Sequence, residues 1–190
     1  MWEYGVKAVL DLRSEQEIVK RPSPFEPADY GPQYLHLPLI DDPFADVLAQ
    51  VPSMADRYRM MLDHRREAIA DIMSTIANAG GALVFHCFAG KDRTGLIAAM
   101  LLELAGVERQ AIAADYAATD EQMAARYAEW LAAAPPERVE TMRDELRCPP
   151  EWMLGALDHV SERWGGVEEY LAAGGMEPAQ IVRLRVKLAG

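Results

Sequence analysis

The sequence predicts an α/β fold, with a mostly parallel central sheet, flanking helices and a helical C-terminal half. The chain has 190 residues, enough for one well-buried core. Short apolar runs alternate with helical patterns in the first half, and the second half is nearly all helical in periodicity. We therefore expect residues 1–190 to form a single domain, with a helical covering region over about 107–190.

Composition excludes several classes of protein. The net charge is −11, which disfavours nucleic acid as a partner because phosphate backbones are held mainly by basic patches. Two cysteines are too few for a disulfide scaffold or a four-cysteine zinc site. No secretory signal and no apolar run of membrane-spanning length is visible. We expect a cytoplasmic protein without a transmembrane segment.

Two strands are predicted in the first forty residues. Residues 6–13 (VKAVLDLR) form a short apolar run with polar interruptions, which indicates a buried strand. Four prolines make residues 21–32 a loop. Residues 33–40 (QYLHLPLI) indicate a second strand near a sheet edge or end, because Pro38 cannot donate a sheet hydrogen bond. The Asp-Asp-Pro sequence at 41–43 then ends it.

Helical patterns dominate the rest of the chain. Apolar residues recur at three- and four-residue spacing over 54–79, and two glycines end this segment. Residues 82–85 (ALVF) have strand length, and 96–104 form a buried helix. We expect the connecting loop to lie at the C-terminal end of a central strand. Later helices are predicted over 110–119, 120–133, 136–146, 150–164 and 177–188.

The loop before residue 96 carries the chemistry. Residues 86–95 read HCFAGKDRTG, which places a cysteine and an arginine six positions apart. A thiol at a helix N-terminus faces free N–H groups and the positive end of the helix dipole, which favour the thiolate. The intervening amides can curl around an anion, and Gly90 lets the backbone approach it closely. Arg93 can bind two phosphate oxygens with its guanidinium.

These residues describe a thiolate beneath a bound phosphoryl group. We predict that Cys87 attacks phosphorus and forms a phosphocysteine intermediate, which water then hydrolyses. No metal or other cofactor is required, because the loop amides and Arg93 stabilise the charge. Thr94 is expected to offer its hydroxyl to the sulfur, and His86 to hold the loop backbone. The residues expected to bind phosphate are Phe88, Ala89, Gly90, Lys91, Asp92 and Arg93.

Other interpretations of the loop explain less. A Walker A loop needs a glycine five residues before Gly90, where this chain has Phe85, and a hydroxyl residue where Asp92 stands. The adjacent histidine and cysteine lack partners at zinc-ligand spacing. A structural cysteine beside a glycine turn does not explain the ordered set of His, Cys, Gly, Arg, Thr and Gly.

Residues 86–95 resemble the signature loop of cysteine-dependent protein tyrosine phosphatases. The Lys-Asp pair within the loop resembles that of the bacterial PtpB-like members. The resemblance implies a tyrosine phosphatase fold from about residue 5 to the C-terminus, with Cys87 as nucleophile and Arg93 as phosphate ligand. Weaker similarities follow in the family's order, at residues 11–14 (DLRS), 115–116 (DY) and 164–171 (WGGVEEYL).

The N-terminus departs from this family. PtpB-like chains begin with an N-F-R-D segment and an R-x-G-x-L-x-R-S segment before the DLRS strand, and neither stands in this sequence. Only ten residues precede Asp11. We therefore expect that the natural protein extends upstream of Met1.

A leaving group also needs a proton, so a carboxylic acid should stand near the loop. The resemblance assigns this role to Asp41, after the strand that follows the proline-rich loop. The neighbouring Asp42 is a second candidate for this role. Alternatively, either residue is only a solvent-exposed carboxylate in a turn. Asp92, inside the loop, is an alternative acid, or it orients Arg93 or a substrate group.

Three further residues bear on substrate and support. Lys91 is expected to add positive charge at the pocket rim. Phosphatases that act on inositol lipids resemble this sequence in carrying a lysine there, and the other interpretation is that Lys91 only raises the general affinity for phosphate. Arg13 either supports the loop from the neighbouring strand or forms a strand-end ion pair. Cys148 is expected to be a structural thiol, unless folding brings it to Cys87 as a redox partner.

We predict a cysteine-dependent phosphatase whose partners are phosphorylated proteins or phosphoinositides. Phosphotyrosine is the expected substrate, with phosphoserine, phosphothreonine or phosphoinositide activity as additions, and the oligomeric state stays open. Two alternatives also stay open. One is a phosphate-binding pseudophosphatase of weak activity, and the other is a thiol redox enzyme of the arsenate-reductase type.

Overall fold

The structure, a computed structural model, describes residues 5–25 and 31–189. Its strands β1 (Val6–Asp11), β2 (Gln33–His36) and β3 (Ala82–His86) pair in parallel in the spatial order β2-β1-β3. Parallel strands place their carboxyl ends at one edge, where open α/β sheets bind ligands. The predicted α/β class with a parallel sheet is confirmed.

The middle strand is β1, not the strand that leads into the loop. Val9 and Leu10 of β1 have no exposed surface, as expected for a parallel strand covered on both faces. We expected β3 to be central, and this is wrong for the described sheet, in which β3 is an outer strand. Its residues are only partly buried. The sequence did not distinguish the two cases, because an apolar run of four residues such as 82–85 fits a central strand and an outer strand equally well.

Two short helices form where the sequence analysis predicted neither a helix nor a strand. Helix α1 (Glu15–Lys20) follows β1 and begins with a capping box, in which Glu17 reaches back to the N–H of Ser14. Helix α2 (Asp42–Ala49) begins where the predicted second strand was expected to end, because the Asp41 side chain caps its first turn. Strand β2 itself stops at His36 rather than at residue 40.

Most of the remaining helices follow the predicted periodicity with shifted ends, but the helix Val167–Ala173 was not predicted, and the predicted helix over 120–133 is divided at Met123. The segment 54–79 divides into two helices at Arg65, whereas α10 has the predicted bounds. None of the helices in the described ranges is long and apolar enough to cross a membrane. The helices are α3 (Met54–His64), α4 (Arg66–Asn78), α5 (Asp92–Leu104), α6 (Arg109–Ala117), α7 (Thr119–Gln122), α8 (Ala124–Ala133), α9 (Val139–Leu146, after a 3-10 turn at Pro136–Arg138), α10 (Pro150–Trp164), α11 (Val167–Ala173) and α12 (Pro178–Ala189).

One hydrophobic cluster joins the sheet to helices of both halves of the chain. Burying a large aliphatic side chain stabilises a fold by roughly 1.5–3 kcal/mol, so these shared contacts hold the C-terminal helices against the sheet. Residues of β1, α4, α5, α10 and α12 are fully buried in it: Leu10, Ile72, Ile97, Val160 and Leu184.

Candidate phosphate-binding site

The segment between β3 and α5 curls at the carboxyl edge of the sheet. Cys87 follows β3 directly and is only 6% exposed. Helix α5 begins at Asp92, so Arg93 lies in its first turn. Gly90 turns the loop with a φ of 70°, a conformation that favours glycine. The thiol is therefore held just before the N-terminus of a 13-residue helix.

Arg93 is bound by a carboxylate from α1. Its Nη1 and Nη2 atoms donate to Oε2 and Oε1 of Glu17 at 2.5 and 2.7 Å. Burial disfavours the charged guanidinium, but the Glu17 hydrogen bonds and the nearby Cys87 together raise the pKa of Arg93 above its ordinary value. The result is a charged guanidinium in a fixed orientation close to the thiol.

Glu17 was not among the predicted site residues. Burial alone would raise the pKa of its carboxyl, but hydrogen bonds from Arg93 and from the N–H of Ser14 lower it below the ordinary value of 4.5. Glu17 therefore stays ionised at neutral pH and keeps its charge for Arg93. The available signal was the S-x-x-E pattern of residues 14–17, which predicts a helix N-terminus directly after β1.

Arg13 forms the strand-end ion pair that was one of its two interpretations. Its Nη2 and Nε atoms donate to Asp11 at 2.6 and 2.9 Å, and the Tyr34 hydroxyl adds a donor at 3.0 Å. Asp11 is fully buried, which alone would raise its pKa, yet these donors lower the pKa below 3.8. The pair fixes the end of β1, where the N–H of Leu12 donates to the His86 carbonyl at 2.8 Å.

His86 and Thr94 were both expected to act on the loop. The Nδ1 atom of His86 lies 3.0 Å from the carbonyl oxygen of Cys87, a contact that holds the loop backbone. Thr94 differs from the expectation, since its buried hydroxyl has no hydrogen-bond partner among the described residues. The Thr94 hydroxyl therefore makes no hydrogen bond to the Cys87 sulfur in this structure.

Lys91 is buried, so the expectation that its side chain charges the pocket rim is wrong. It is 2% exposed, and its Nζ donates to the carbonyl of Glu145 in the last turn of α9. The same Nζ lies 3.3 Å from the Asp92 carboxylate and 5.8 Å from the ring centre of Trp152. The ammonium group of Lys91 is thus bound within the protein.

Asp92 is also held from the helical side. The buried hydroxyl of Tyr58 donates to its Oδ1 at 2.6 Å, and the Tyr116 hydroxyl lies 2.6 Å from that of Tyr58. Gly95 permits this arrangement, because a Cβ at that position would lie 3.1 Å from the Tyr116 ring. These contacts fix the direction of the Asp92 carboxylate and with it the start of α5.

Asp41 lies at the same sheet edge as the loop but is bound to other groups. It caps α2 by accepting the Phe44 N–H at 2.9 Å, and it pairs with the guanidinium of Arg65. The Arg65 hydrogen bond, followed by the Phe44 N–H, lowers the pKa of Asp41 below 3.8. The carboxyl group that the resemblance assigns as acid is therefore ionised in this arrangement.

Asp42 contacts α1 rather than the loop. Its carboxylate oxygens each accept the N–H of Gln16 at 3.3 Å. The segment before it is tied to the site, because the N–H of Leu39 donates to the Leu12 carbonyl at 3.3 Å. Leu12 thus contacts both the loop strand and the segment that carries the two aspartates.

Phe88 is the exposed apolar side chain of the loop. It is 44% exposed, its ring centre lies 6.0 Å from that of Trp130, and the Arg21 guanidinium stands 5.0 Å from its ring centre. Phe88, Ala89 and Gly90 have no polar side-chain atoms. The predicted phosphate contacts of these three residues can therefore come only from their backbone N–H groups.

The other cysteine is buried and weakly acidic. Cys148 has no exposed surface, and its N–H donates to Asp120 at 3.1 Å. Burial, with a smaller contribution from Asp120, raises the pKa of this thiol to about 12. Across residues 5–25 and 31–189, no group of three or more His, Cys, Asp or Glu residues could hold a metal ion.

Known proteins are similar to this chain over most of its length. A model of the tyrosine phosphatase family matches residues 1–190. A tyrosine-protein phosphatase of Nostoc commune is 29% identical, over 97% of this chain and 66% of that protein. The triple specificity protein phosphatase PtpB of Mycobacterium tuberculosis is 27% identical, over 98% of this chain and 83% of that protein. The chain thus spans slightly less than two thirds of the first relative.

Proposed function

Because this chain belongs to the tyrosine phosphatase family, we propose that it hydrolyses phosphotyrosine in proteins through a phosphocysteine intermediate. The observation that carries the proposal is the position of Cys87 before α5, close to an Arg93 that Glu17 holds by two hydrogen bonds. A thiolate and a fixed guanidinium suit attack on an anionic phosphoryl group.

In the first step, the Cys87 sulfur forms a bond to phosphorus while the bond from phosphorus to the tyrosine oxygen breaks. The loop N–H groups and Arg93 bind the nonbridging oxygens and stabilise their charge in the transition state. A guanidinium has five N–H donors; Glu17 takes two of them, and the Leu12 carbonyl, 3.5 Å from Nη1, takes a third. Donors therefore remain for two phosphate oxygens.

In the second step, water attacks phosphorus, the S–P bond breaks and inorganic phosphate leaves. The electron pair of that bond returns to Cys87 as a thiolate. The position of Thr94, directly after Arg93, supports a role for its hydroxyl in stabilising this leaving thiolate.

Asp41 is our candidate for the proton donor to the leaving tyrosine oxygen and acceptor of the proton from water. In the unliganded structure Arg65 favours its ionised form. An arriving phosphate dianion raises the pKa of a nearby carboxyl by like-charge repulsion. Proton donation therefore requires Asp41 to separate from Arg65 as the substrate binds.

Phosphoserine, phosphothreonine and phosphoinositides are further candidate substrates. The printed name of the mycobacterial relative, a triple specificity protein phosphatase, supports testing more than one phosphoamino acid. The burial of Lys91 favours a single phosphoryl group over an inositol ring with several phosphates, because the ammonium is bound to the Glu145 carbonyl.

A thiol redox cycle is less well supported than phosphatase chemistry. It needs a resolving thiolate, and burial holds the pKa of Cys148 at about 12. Both cysteines are free thiols, which fits our proposal of a reducing, cytoplasmic compartment.

The Cys87→Ser variant tests the nucleophile. We expect hydrolysis of p-nitrophenyl phosphate to fall to background, while a phosphotyrosine peptide still binds in isothermal titration calorimetry. Cys148→Ser is the matched control and should keep its phosphatase activity. Undiminished hydrolysis by Cys87→Ser would reject the mechanism, and loss of activity in Cys148→Ser alone would favour a redox enzyme.

Separate Asp41→Asn, Asp42→Asn and Asp92→Asn variants identify the acid. Loss of the true acid should lower kcat for a phosphotyrosine peptide by about 10²–10⁴-fold. It should cost much less for p-nitrophenyl phosphate, whose leaving group needs little protonation. If Asp41 is the acid, Arg65→Gln raises its pKa and moves the basic limb of the pH profile upward. If the basic limb does not move in Arg65→Gln, and kcat falls in another aspartate variant instead, Asp41 is not the acid.

A further inference from the structure

A groove of about 460 Å³ opens beside the catalytic loop, on the side of α8 and α9. Phosphate binding does not explain this groove, since most of its wall is formed by apolar groups. Among the described residues, the charged ones that line it are Arg21 and Glu145, and its large apolar side chains are Phe88, Trp130, Met142 and Leu146.

The groove begins one residue from the nucleophile. Phe88 follows Cys87 directly, and consecutive Cα atoms lie about 3.8 Å apart. The Phe88 ring is exposed and packs against Trp130 of α8 at a centre-to-centre distance of 6.0 Å. Anything attached to a phosphoryl group in the loop therefore passes close to this apolar wall.

We propose that the groove is a specificity subsite for a large apolar side chain flanking the phosphotyrosine of a protein substrate. This inference rests on the proposed phosphatase function. An extended peptide advances about 3.3–3.6 Å per residue, so a side chain one or two positions from the phosphotyrosine reaches the wall that starts at Phe88. Its burial against Trp130 and Met142 removes apolar surface from water.

Charge favours a peptide over an anionic membrane as the occupant. Recognition of phosphoinositide surfaces depends on clusters of basic residues, whereas among the described residues Arg21 is the one arginine that lines the groove, and Arg126 stands 5.9 Å from the Trp130 ring centre. The Glu145 carboxylate pairs with Arg57 and Arg138 at 2.9 and 3.3 Å. The whole chain carries a net charge of −11, which opposes close approach to an anionic lipid surface.

Two phosphotyrosine peptides test the subsite. One has leucine on both sides of the phosphotyrosine, and the other has glycine there. We expect the protein to prefer the leucine peptide by roughly tenfold in kcat/KM, as burial of one aliphatic side chain implies. The preference should shrink in Met142→Ala. In Met142→Glu it should reverse toward a third peptide with flanking lysines.

Thr141→Glu is the matched control, because it adds the same charge to an exposed position of α9 outside the groove. Hydrolysis of p-nitrophenyl phosphate, which has no flanking residue, should be the same in all these proteins. Equal kcat/KM values for the peptides in every variant, with p-nitrophenyl phosphate still hydrolysed, would overturn the subsite alone. Absence of p-nitrophenyl phosphate hydrolysis by the unaltered protein would instead overturn the proposed function.

A lipid substrate tests the other candidate occupant of the groove, an acyl chain. When a phosphoinositide is presented in vesicles of uncharged lipid, its rate of hydrolysis should be the same for the unaltered protein and for Met142→Glu. If that variant impairs vesicle hydrolysis while the peptide preference is absent, the groove binds acyl chains and our proposal of a peptide side chain is wrong.

Discussion

The loop between β3 and α5 is held from two sides by different chemistry. On the sheet side, two carboxylate–guanidinium pairs join Glu17 to Arg93 and Asp11 to Arg13. On the helical side, Lys91 donates to a backbone carbonyl, and Asp92 accepts from a tyrosine hydroxyl. The sheet side keeps one cation oriented for an anion, whereas the helical side keeps the other cation inside the protein. Changes on the first side should act mainly on turnover, and changes on the second mainly on stability.

The largest effect should come from Arg93. Arg93→Ala removes the one loop cation that Glu17 holds close to Cys87, and loss of a preorganised transition-state donor costs roughly 10²–10³ in kcat. Steady-state kinetics with p-nitrophenyl phosphate measure it. Arg93→Lys, which keeps the charge without the planar fork, should recover only part of the loss. Full activity in Arg93→Ala would contradict the assignment of phosphate binding to this residue.

The Glu17→Gln variant isolates the sheet-side support. Glutamine still completes the capping box of α1, but it removes the charge that binds Arg93. A hydrogen bond to a charged group is worth roughly 1.5–3 kcal/mol, so we expect kcat/KM to fall about 10- to 100-fold.

Glu15→Gln is the control on the same helix, because the Glu15 side chain is 75% exposed and, among the residues that the structure describes, its one ion-pair partner is His36, at 3.6 Å. Its kinetics should match those of the unaltered protein. Equal losses in both variants would mean that α1 acts only through its overall charge.

Tyr58→Phe tests the helical side. It removes the hydroxyl that donates to Asp92 and leaves buried polar groups unpaired, so the free energy of unfolding should fall by about 1–3 kcal/mol. Urea denaturation measures this change, and kcat should change less than in Glu17→Gln. The double variant Tyr58→Phe/Tyr116→Phe should lose less than the sum of the two single changes, because the hydroxyls contact each other. Additive losses would mean that the contact contributes nothing.

The smallest effect should come from Gly95→Ala. A methyl group at this position would lie 3.1 Å from the Tyr116 ring, so crowding should lower the free energy of unfolding by about 1 kcal/mol. Gly155→Ala, in α10 with nothing within 4 Å of the added Cβ, should stabilise the protein by up to about 1 kcal/mol. Thermal melts of the two variants should move in opposite directions, and a shared direction would contradict the close packing at Gly95.

Features that depend on neighbours in sequence were predictable. The loop from Cys87 to Arg93 could be assigned because its residue order and the following helix are local. Helix α10 has its predicted bounds, since Pro150 suits a first turn and Gly165, with a φ of 97°, ends it. The division of 54–79 at Arg65 was not predictable in this way, because the sequence there contains neither proline nor glycine.

Features that depend on distant partners were not predictable. Glu17 and Arg93 are 76 positions apart, and Lys91 and Glu145 are 54 positions apart. The loop sequence contains two cations, and nothing local decides which of them turns toward the anion. The order of strands, with β3 at the outside, depends in the same way on pairings made across the chain.

Covalent trapping of the intermediate tests the central claim most directly. The protein is mixed with p-nitrophenyl phosphate, quenched rapidly in acid and analysed by peptide mass spectrometry. We predict one added phosphoryl group on the peptide that contains Cys87, its absence in Cys87→Ser and its persistence in Cys148→Ser. Steady turnover of substrate with the phosphoryl group on another residue, or on none, would contradict a mechanism through Cys87.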